Sequence, residues 1–246
     1  MNTADKLLKM AENEAIVAEA NQRLFECVNG GTVDAKSWYD EFWDSYDTSN
    51  QAYSRSDFMF AGKMWNDTTF KPKRDIVLKP SSSGAFYDNG CRDLKAILNK
   101  CGVKLDTSQV TNAGNFFISS YITALPEIDF SNATTLTNAF GHMSLISIDK
   151  VTFKDGVAFN NTFNNLHQLE EIRIGGTISG SGFDIHWSTK LTADSLKSII
   201  NALSNTTTGL TITLPKTAQA NYEAVYGTGS WSVLVATRSN WTIAYA

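Results

Sequence analysis

The chain has 246 residues, 42% of them hydrophobic, and a formal net charge of −4 at pH 7. This length and apolar content can bury one elongated core, or a repeat array with a small additional domain. The lysines and arginines form no cluster, so nucleic acid is not an expected partner. No apolar run approaches the roughly 18 residues that a membrane helix needs, so membrane insertion is not expected either.

The first predicted element is a helix over residues 3–28, which Asn29-Gly30-Gly31 would end. Its apolar stripe is narrow and rich in alanine. The stripe consists of Leu8, Ala11, Ala15, Ala18 and Phe25. Such a stripe suits close helix–helix approach better than a wide core face, so residues 1–31 are predicted to be an attachment or oligomerisation helix. The polar N-terminus lacks the apolar segment of a signal peptide.

Residues 34–47 predict a second helix, in which carboxylates are interleaved with aromatic rings such as those of Trp38 and Trp43. The carboxylates considered for chemistry are those of Asp40, Glu41 and Asp44. Two acids beside aromatic side chains are typical of a glycosidase cleft, which makes a carbohydrate-active enzyme one hypothesis. We favour an amphipathic helix with an acidic outer face, because no second group of acids and aromatics follows.

Residues 58–80 are rich in turns and aromatic side chains and end in a short predicted strand, Ile76–Leu78. Ser81–Gly84 is the best candidate for a linker. Because an open stack of repeats needs capped ends, residues 32–84 are predicted to be an aromatic-rich capping segment.

A pattern with a period of 23 residues runs through residues 92–176. Asparagine and phenylalanine recur together, and a second apolar column recurs further along each unit. The members are Asn115, Asn138 and Asn161; Phe117, Phe140 and Phe163; and Leu105, Ile128, Val151 and Ile174. Such a period indicates stacked units, each with a loop or short helix and then a short strand. We expect both apolar columns to be buried, and the asparagines to point inward and bond backbone groups at tight turns.

The predicted strands also carry a column of charges on the face opposite the apolar column. Its members, spaced by 23 residues, are Lys104, Glu127, Lys150 and Arg173. Neighbouring strands lie about 4.8 Å apart, so these side chains would form a ladder of mostly alternating charge. Two interpretations remain open: a solvated sheet face, or a surface that contacts a partner.

The spacing changes in the C-terminal part of the chain. Residues 192–204 predict a capped amphipathic helix, 209–214 a strand and 218–226 a short helix. Residues 231–235 and 241–245 predict a closing segment and a last edge strand. Together these elements would form a terminal cap.

The repeat motif includes Leu136-Thr-Asn-Ala-Phe140 followed by Leu145, and Phe159-Asn-Asn-Thr-Phe163 followed by Leu169-Glu-Glu-Ile172. In this form it resembles the bacterial leucine-rich repeats of the BspA-like surface-antigen class. The resemblance covers about a third of the chain. It implies a leucine-rich-repeat solenoid but names no ligand.

A second resemblance covers roughly residues 1–80. It rests on Ala4-Asp-Lys-Leu-Leu-Lys-Met-Ala-Glu-Asn13, Val17-Ala-Glu-Ala20, Glu41-Phe-Trp-Asp44, Phe60-Ala-Gly62, Trp65-Asn-Asp67 and Phe70-Lys-Pro-Lys73. These segments resemble the opening of leucine-rich-repeat proteins encoded in tail gene clusters of phages and prophages of Gram-positive gut bacteria. The resemblance implies a tail-associated virion protein that is made in the bacterial cytoplasm, favours a homotrimer, and offers no catalytic motif.

Few residues suggest catalytic or metal chemistry. The histidines are His142, His167 and His186, and the cysteines are Cys27, Cys91 and Cys101. His142 and His167 are out of step with the period and are predicted to face differently. The cysteines are odd in number and lack a Cys-x-x-Cys motif, so neither a disulfide framework nor a zinc site nor any cofactor is expected. Gly175–Gly182 interrupt the repeat and predict a flexible loop.

The sequence therefore predicts an α+β fold: a leucine-rich-repeat-like solenoid with a short-stranded parallel sheet over residues 85–246, preceded by an N-terminal helical segment. We expect a non-enzymatic phage tail or baseplate protein. Its N-terminal helix would contact other virion proteins, and its solenoid would face a host surface glycan or protein. A bacterial cell-surface leucine-rich-repeat adhesin is the first alternative, disfavoured by the missing signal peptide, and a carbohydrate-active enzyme is the second.

Overall fold

The structure is a computed structural model that describes residues 37–46 and 57–246. The chain divides into two compact units, Met1–Tyr46 and Asp47–Ala246. The described part is a mixture of helices and strands with short parallel sheets, which confirms this much of the predicted fold class. The predicted helix over residues 3–28 lies outside the described residues, and so do its stripe residues Leu8, Ala11, Ala15, Ala18 and Phe25.

The first unit contributes one described helix, α1 (Trp38–Ser45), inside the range predicted for it. Ser37 is its N-cap residue, and the Ser37 hydroxyl donates to the carboxylate of Asp40. Asp40 and Glu41 lie in the first turn, where the helix dipole favours negative charge. The helix ends where the N–H of Tyr46 donates to the carbonyl of Phe42, 2.8 Å away.

The second unit contains all the other described helices and strands. Its helices are α2 (Leu94–Cys101), α3 (Ala193–Ala202), α4 (Ala218–Tyr226) and α5 (Ser230–Ala236). Its strands are β1 (Ile76–Val77), β2 (Leu105–Asp106), β3 (Ala124–Phe130), β4 (Ser147–Phe153), β5 (Glu171–Gly175), β6 (Leu210–Leu214) and β7 (Trp241–Tyr245). The strands form three separate parallel sheets with the orders β1–β2, β3–β4–β5 and β6–β7.

Strands β3 and β4 pair in parallel at the period of the sequence. Ala124 lies opposite Ser147 and Phe130 lies opposite Phe153, so each residue faces the one 23 positions later. The sequence predicted these strands over residues 127–130 and 150–153, and both begin three residues earlier. Their buried side chains include Ile128 and Phe130, as the alternating pattern requires.

Tight turns, and no helix, form the segments that carry the asparagine–phenylalanine pairs. Asn115, Asn138 and Asn161 are in the left-handed backbone region, with φ of 53°, 54° and 53°. Asparagine tolerates this region better than most residues with a side chain. The predicted inward bonds to the backbone are wrong for Asn138, whose amide donates instead to the side-chain oxygen of Asn115 at 3.2 Å. The asparagines therefore recur at this position because of the backbone conformation that the turn requires.

Backbone hydrogen bonds join each turn segment to the next unit. The N–H groups of Asn138 and Phe140 donate to the carbonyls of Asn160 and Thr162, each at 3.0 Å. The N–H of Gly141 closes a turn onto the carbonyl of Asn138 at 3.1 Å. Alternate N–H groups thus bond within the turn and across to the next unit, which satisfies buried backbone groups without a helix.

Stacked phenylalanine rings fill the core between these units, as predicted. Phe117, Phe140 and Phe163 are fully buried. The column is longer than the sequence indicated, because it also includes Phe60, Phe86 and Phe183. Neighbouring rings in this series have their centroids 5.1 to 5.7 Å apart. In the second apolar column Leu105, Ile128 and Val151 are buried, whereas Ile174 on the edge strand β5 is only half-buried.

Residues 57–84 join the same arrangement. The N–H of Phe60 donates to the carbonyl of Ala85 at 2.8 Å, as later turn segments do to their neighbours. The linker predicted at Ser81–Gly84 is wrong, because the Ser81 hydroxyl contacts both carboxylate oxygens of Asp57, at 2.9 and 3.0 Å, and Ser82 is fully buried. The domain limits at residues 31 and 84 stay predictions.

Helix α2 was not predicted and lies between two members of the phenylalanine column. The carboxylate of Asp67 accepts hydrogen bonds from the N–H groups of Arg92 and Asp93 at the start of the helix, at 2.7 and 3.0 Å. Gly102 ends the helix in the left-handed region, with φ of 66°. Because of this insertion Phe86 and Phe117 are 31 residues apart, which hides the earlier unit from a search with a fixed period.

Helix α3 ends the three-stranded sheet. Two of its serine hydroxyls accept hydrogen bonds from β5, Ser195 from the N–H of Ile172 at 3.0 Å and Ser198 from the N–H of Ile174 at 2.9 Å. These bonds occupy N–H groups that an open strand edge would leave free. The predicted cap is confirmed, because the side chain of Thr192 accepts from the N–H of Ser195. The strand and helix predicted at 209–214 and 218–226 are confirmed as β6 and α4.

The glycine-rich stretch after β5, which the sequence predicted to be a flexible loop, is packed against the preceding unit. A Cβ atom at Gly180 would overlap the carbonyl oxygen of Val157, so only glycine fits there. Nearby, Ile178 is fully buried and its N–H donates to Ala202 at 2.7 Å. The glycine therefore permits close backbone approach.

Candidate binding surface

The charged sheet face that the sequence predicted contains one ion pair along the column. Glu127 lies directly opposite Lys150, and the Lys150 Nζ is 3.1 Å from the Glu127 Oε2. The two side chains remain 70% and 44% exposed, respectively. An exposed pair of this kind contributes about 0.2–1 kcal/mol to stability.

Lys104 and Arg173 do not extend this pair into a ladder. Lys104 precedes β2, where its backbone N–H donates to the carboxylate of Asp75 at 2.8 Å. The register of β4 and β5 shifts by one residue between Ile148 and Val151, so two β4 residues face Arg173. Both Lys104 and Arg173 are exposed. Whether this face contacts a partner stays a prediction.

A second ion pair connects the sheet to helix α2. The Lys95 Nζ lies 2.5 Å from the Asp149 Oδ1, and both side chains are partly exposed. On β4, Asp149 and Lys150 therefore bind oppositely charged residues from two different elements. The face offers compensated charges, which suits solvation better than the attraction of a highly charged ligand.

A different surface lies at the end of the turn segments, where aromatic and imidazole rings meet. We call His167, Asp184, His186 and Trp187 the Trp187 cluster. Trp187 is 38% exposed, and the centroid of its indole lies 5.1 Å from the ring of His167 and 4.6 Å from that of His186. The His186 Nδ1 lies 2.6 Å from the Asp184 Oδ1. The cluster thus combines an accessible aromatic ring with polar groups.

The loop that carries Trp187 is held by the units on both sides of it. The hydroxyl of the fully buried Ser188 donates to the carbonyl of Leu166 at 3.0 Å in the preceding unit. The N–H of Ile185 donates to the carbonyl of Thr213 at 3.0 Å in the following one. These bonds place the ring on a supported backbone.

Helix α4 adds further support just after this loop. The amide of Asn221 donates to the carbonyls of Thr189 and Leu191, at 3.1 and 3.0 Å. The hydroxyl of Thr217 also donates to Thr189, at 2.7 Å. The C-terminal helices therefore help to position the surface that bears Trp187.

The third histidine contacts a different group, as the sequence spacing predicted. The ring nitrogens of His142 lie 3.4 Å from the Asn164 amide and 3.0 Å from the Asn165 amide. His142 and Asn165 are one period apart, and both are in the left-handed backbone region. The imidazole is bonded along the repeat, whereas His167 packs on Trp187.

An open, polar depression lies between the glycine-rich stretch and the loop after α3. Its volume is about 440 Å³. Its lining includes Asp155, Ser179, Ser204, Thr206 and Thr207. The Ser179 hydroxyl donates to the carboxylate of Asp155, and the Ser204 oxygen accepts from the N–H groups of Thr206 and Thr207. The polar groups that line the depression therefore bond to one another and order the loops around it.

Cys91 lies just before helix α2, and its buried thiol contacts Asp67, the residue that accepts hydrogen bonds at the start of that helix. Burial, together with a hydrogen bond to the carboxylate of Asp67, raises the pKa of Cys91 above its usual range. A nucleophilic cysteine needs the opposite shift. Cys91 and Cys101 are both free thiols, and Cys27 lies outside the described residues.

The acids of the glycosidase hypothesis, Asp40, Glu41 and Asp44, all lie on helix α1. Asp40 accepts a hydrogen bond from Ser37, and Glu41 shares the first turn with it. In residues 37–46 and 57–246, no group of three histidine, cysteine or acidic side chains is placed to hold a metal ion. No helix in the same ranges has the length and apolar character to cross a membrane.

Sequence reasoning did not find the Trp187 cluster. Trp187 follows His167 by 20 residues, whereas the period is 23, so the repeat does not place the two rings at equal positions of neighbouring units. The signal in the sequence for this surface was the adjacent pair His186 and Trp187, directly before a polar segment.

Comparison with known proteins does not assign this surface. The chain matches no protein-family model, no curated protein and no solved structure.

Proposed function

We propose that the chain is a leucine-rich-repeat-like solenoid of a phage tail or baseplate, which binds a host cell surface and does not act as an enzyme. Residues 1–31 would attach it to other virion proteins or to its own copies, with a trimer favoured. The virion setting and the trimer rest on the sequence resemblance described above. Host recognition rests on that resemblance together with the surface geometry.

The main observation in favour of a solenoid is the phenylalanine column. Rings from six successive segments follow one another with centroids 5.1 to 5.7 Å apart, stacked except for the last pair, Phe163 and Phe183, which is tilted by 48°. Backbone bonds join each segment to its neighbour. Each segment touches mainly the one before and the one after, which is the principle of solenoid proteins. Side chains at equal positions of neighbouring units are thereby brought into rows.

Two exposed features of the surface support a binding role. Glu127 and Lys150 form an ordered charge pair on the sheet, and Trp187 presents an exposed ring on a loop that is fixed at both ends. Tryptophan is enriched among the residues that dominate binding energies. A surface of fixed side chains loses little conformational entropy on binding.

The test uses the purified full chain, labelled with a fluorophore, on a panel of intact Gram-positive gut bacteria. We expect saturable binding to some strains and none to others. Antibody against the chain should also label the tail of phage particles induced from a lysogen that encodes it. Labelling of the bacterial envelope without labelled particles would contradict the virion proposal and favour the cell-surface adhesin.

A further inference from the structure

We propose that the Trp187 cluster is a carbohydrate-binding site that stacks one pyranose ring of a neutral polysaccharide on the indole of Trp187. This deepens the proposed function and rests on it, because it names the class of host-surface molecule that the chain would recognise.

The first argument is the geometry of the indole. The ring of His186 lies 4.6 Å away at an interplanar angle of 38°, and the ring of His167 packs nearly edge-on at 73°. These two imidazoles hold the indole in place, while 38% of the Trp187 surface remains exposed. An aromatic face is electron-rich, so it attracts the polarised C–H groups on the apolar face of a sugar ring.

The second argument is the set of hydrogen-bonding groups around the indole. Within the residues that the structure describes, the Trp187 indole N–H, both ring nitrogens of His167 and the Nε2 of His186 have no protein partner. A neutral imidazole offers one donor and one acceptor, and sugar hydroxyls can match both. An apolar protein segment would bury these groups without hydrogen-bond partners, which disfavours its binding.

The third argument concerns charge. The carboxylate of Asp184 is paired with His186, whose ring packs on the indole, while the Lys190 ammonium donates to the amide oxygen of Gln168 at 2.6 Å. An anionic polymer would meet the Asp184 carboxylate of the cluster, and the ammonium of Lys190, three residues after Trp187, already has a partner. A neutral polysaccharide avoids this repulsion.

The experiment uses the full chain and immobilised neutral oligosaccharides of several kinds: glucans, galactans, rhamnans and β-1,4-linked N-acetylglucosamine oligomers. We expect retention on at least one of them, about tenfold weaker for Trp187→Ala. Trp187→Phe should lose less, because it keeps an aromatic ring. Tyr87→Ala is the matched control, since Tyr87 is similarly exposed at 43% and lies several units away, and it should bind like the wild type.

Near-UV circular dichroism and thermal melting check that each variant is folded. Retention of no oligosaccharide in the set, or equal retention of Trp187→Ala and the wild type, would overturn the proposal.

A second arm uses bacterial cells that bind the wild-type chain, treated with periodate or with protease. Loss of binding after periodate, together with loss in Trp187→Ala, supports the site. Binding that depends on Trp187, survives periodate and is lost after protease overturns it in favour of a protein partner. Cell binding unchanged in Trp187→Ala overturns this site while leaving the proposed function standing. Oligosaccharide binding without any cell binding supports the site and contradicts the proposed function.

Discussion

Phe140 and Phe163 stack with their ring centroids 5.5 Å apart and their planes only 4° from parallel. Both side chains are fully buried, and each belongs to a turn segment whose backbone donates to the following unit or accepts from the preceding one. The same 23-residue spacing therefore governs the side-chain core and the backbone hydrogen bonds. Interactions that repeat in register reinforce one another from unit to unit.

Phe140→Ala should lower the free energy of unfolding by about 3–5 kcal/mol, because it opens a cavity between two stacked rings. Chemical denaturation of the full chain measures the change. Val233→Ala is the control, since Val233 is 71% exposed, and it should change stability by less than about 0.5 kcal/mol. Equal denaturation midpoints for Phe140→Ala and the wild type would show that the column does not form the core.

Asn161→Val should destabilise the chain by about 1–2 kcal/mol, because a β-branched residue strongly disfavours the φ of 53° that Asn161 adopts. Asn161→Gly should be nearly neutral, since glycine accepts this conformation. Asn161 is exposed, so the pair of variants isolates the backbone effect from packing. A larger loss for glycine than for valine would point to a role for the side chain instead.

Glu127→Lys should cost less than about 1 kcal/mol, because the ion pair with Lys150 is exposed. The double variant Glu127→Lys with Lys150→Glu reverses the pair and should recover most of that loss. Both are measured in low salt and again in high salt, where the difference should shrink. A loss of several kcal/mol would mean that this face is covered in solution.

Asp67 should make part of the stability depend on pH. Burial alone would raise the pKa of its carboxyl, but the hydrogen bonds from the N–H groups of Asp93 and Arg92 outweigh burial and hold the pKa below its usual range. The charged form therefore contributes stability that is present above the ordinary aspartate pKa of about 4 and is lost as the pH falls through the lower folded value.

The variant Asp67→Asn tests this dependence. It should be less stable than the wild type at about pH 6, and the gap should narrow as the pH falls below about 4. Asp67→Ala removes the acceptor as well, so its deficit should persist over the whole range. A gap that stays constant for Asp67→Asn would show that the carboxylate charge does not stabilise α2.

Removal of residues 1–31 should separate attachment from folding. A chain that begins at Thr32 should melt at nearly the same temperature as the full chain, because the predicted helix over 3–28 is not expected to belong to the core that the phenylalanine column fills. Light scattering should find it monomeric, while the full chain is larger or binds a tail component. Loss of the cooperative transition on truncation would assign the helix to the core.

The sequence by itself determined those features that depend on local spacing. A 23-residue period sufficed to locate Phe117, Phe140 and Phe163 in one buried column, because parallel pairing at a constant offset brings equal positions together. The strand at Leu210–Leu214 and the helix at Ala218–Tyr226 followed from alternation and periodicity within short windows.

Tertiary structure decided what depends on the register between units. Helix α2 lengthens one interval of the column, and a shift between β4 and β5 prevents Arg173 from joining the pair of Glu127 and Lys150. The rings of Trp187 and His167 lie 5.1 Å apart, although the two residues are 20 positions apart in the chain and not one period. A change of one or a few residues in register moves a side chain to another row or face, and only the packed backbone fixes that register.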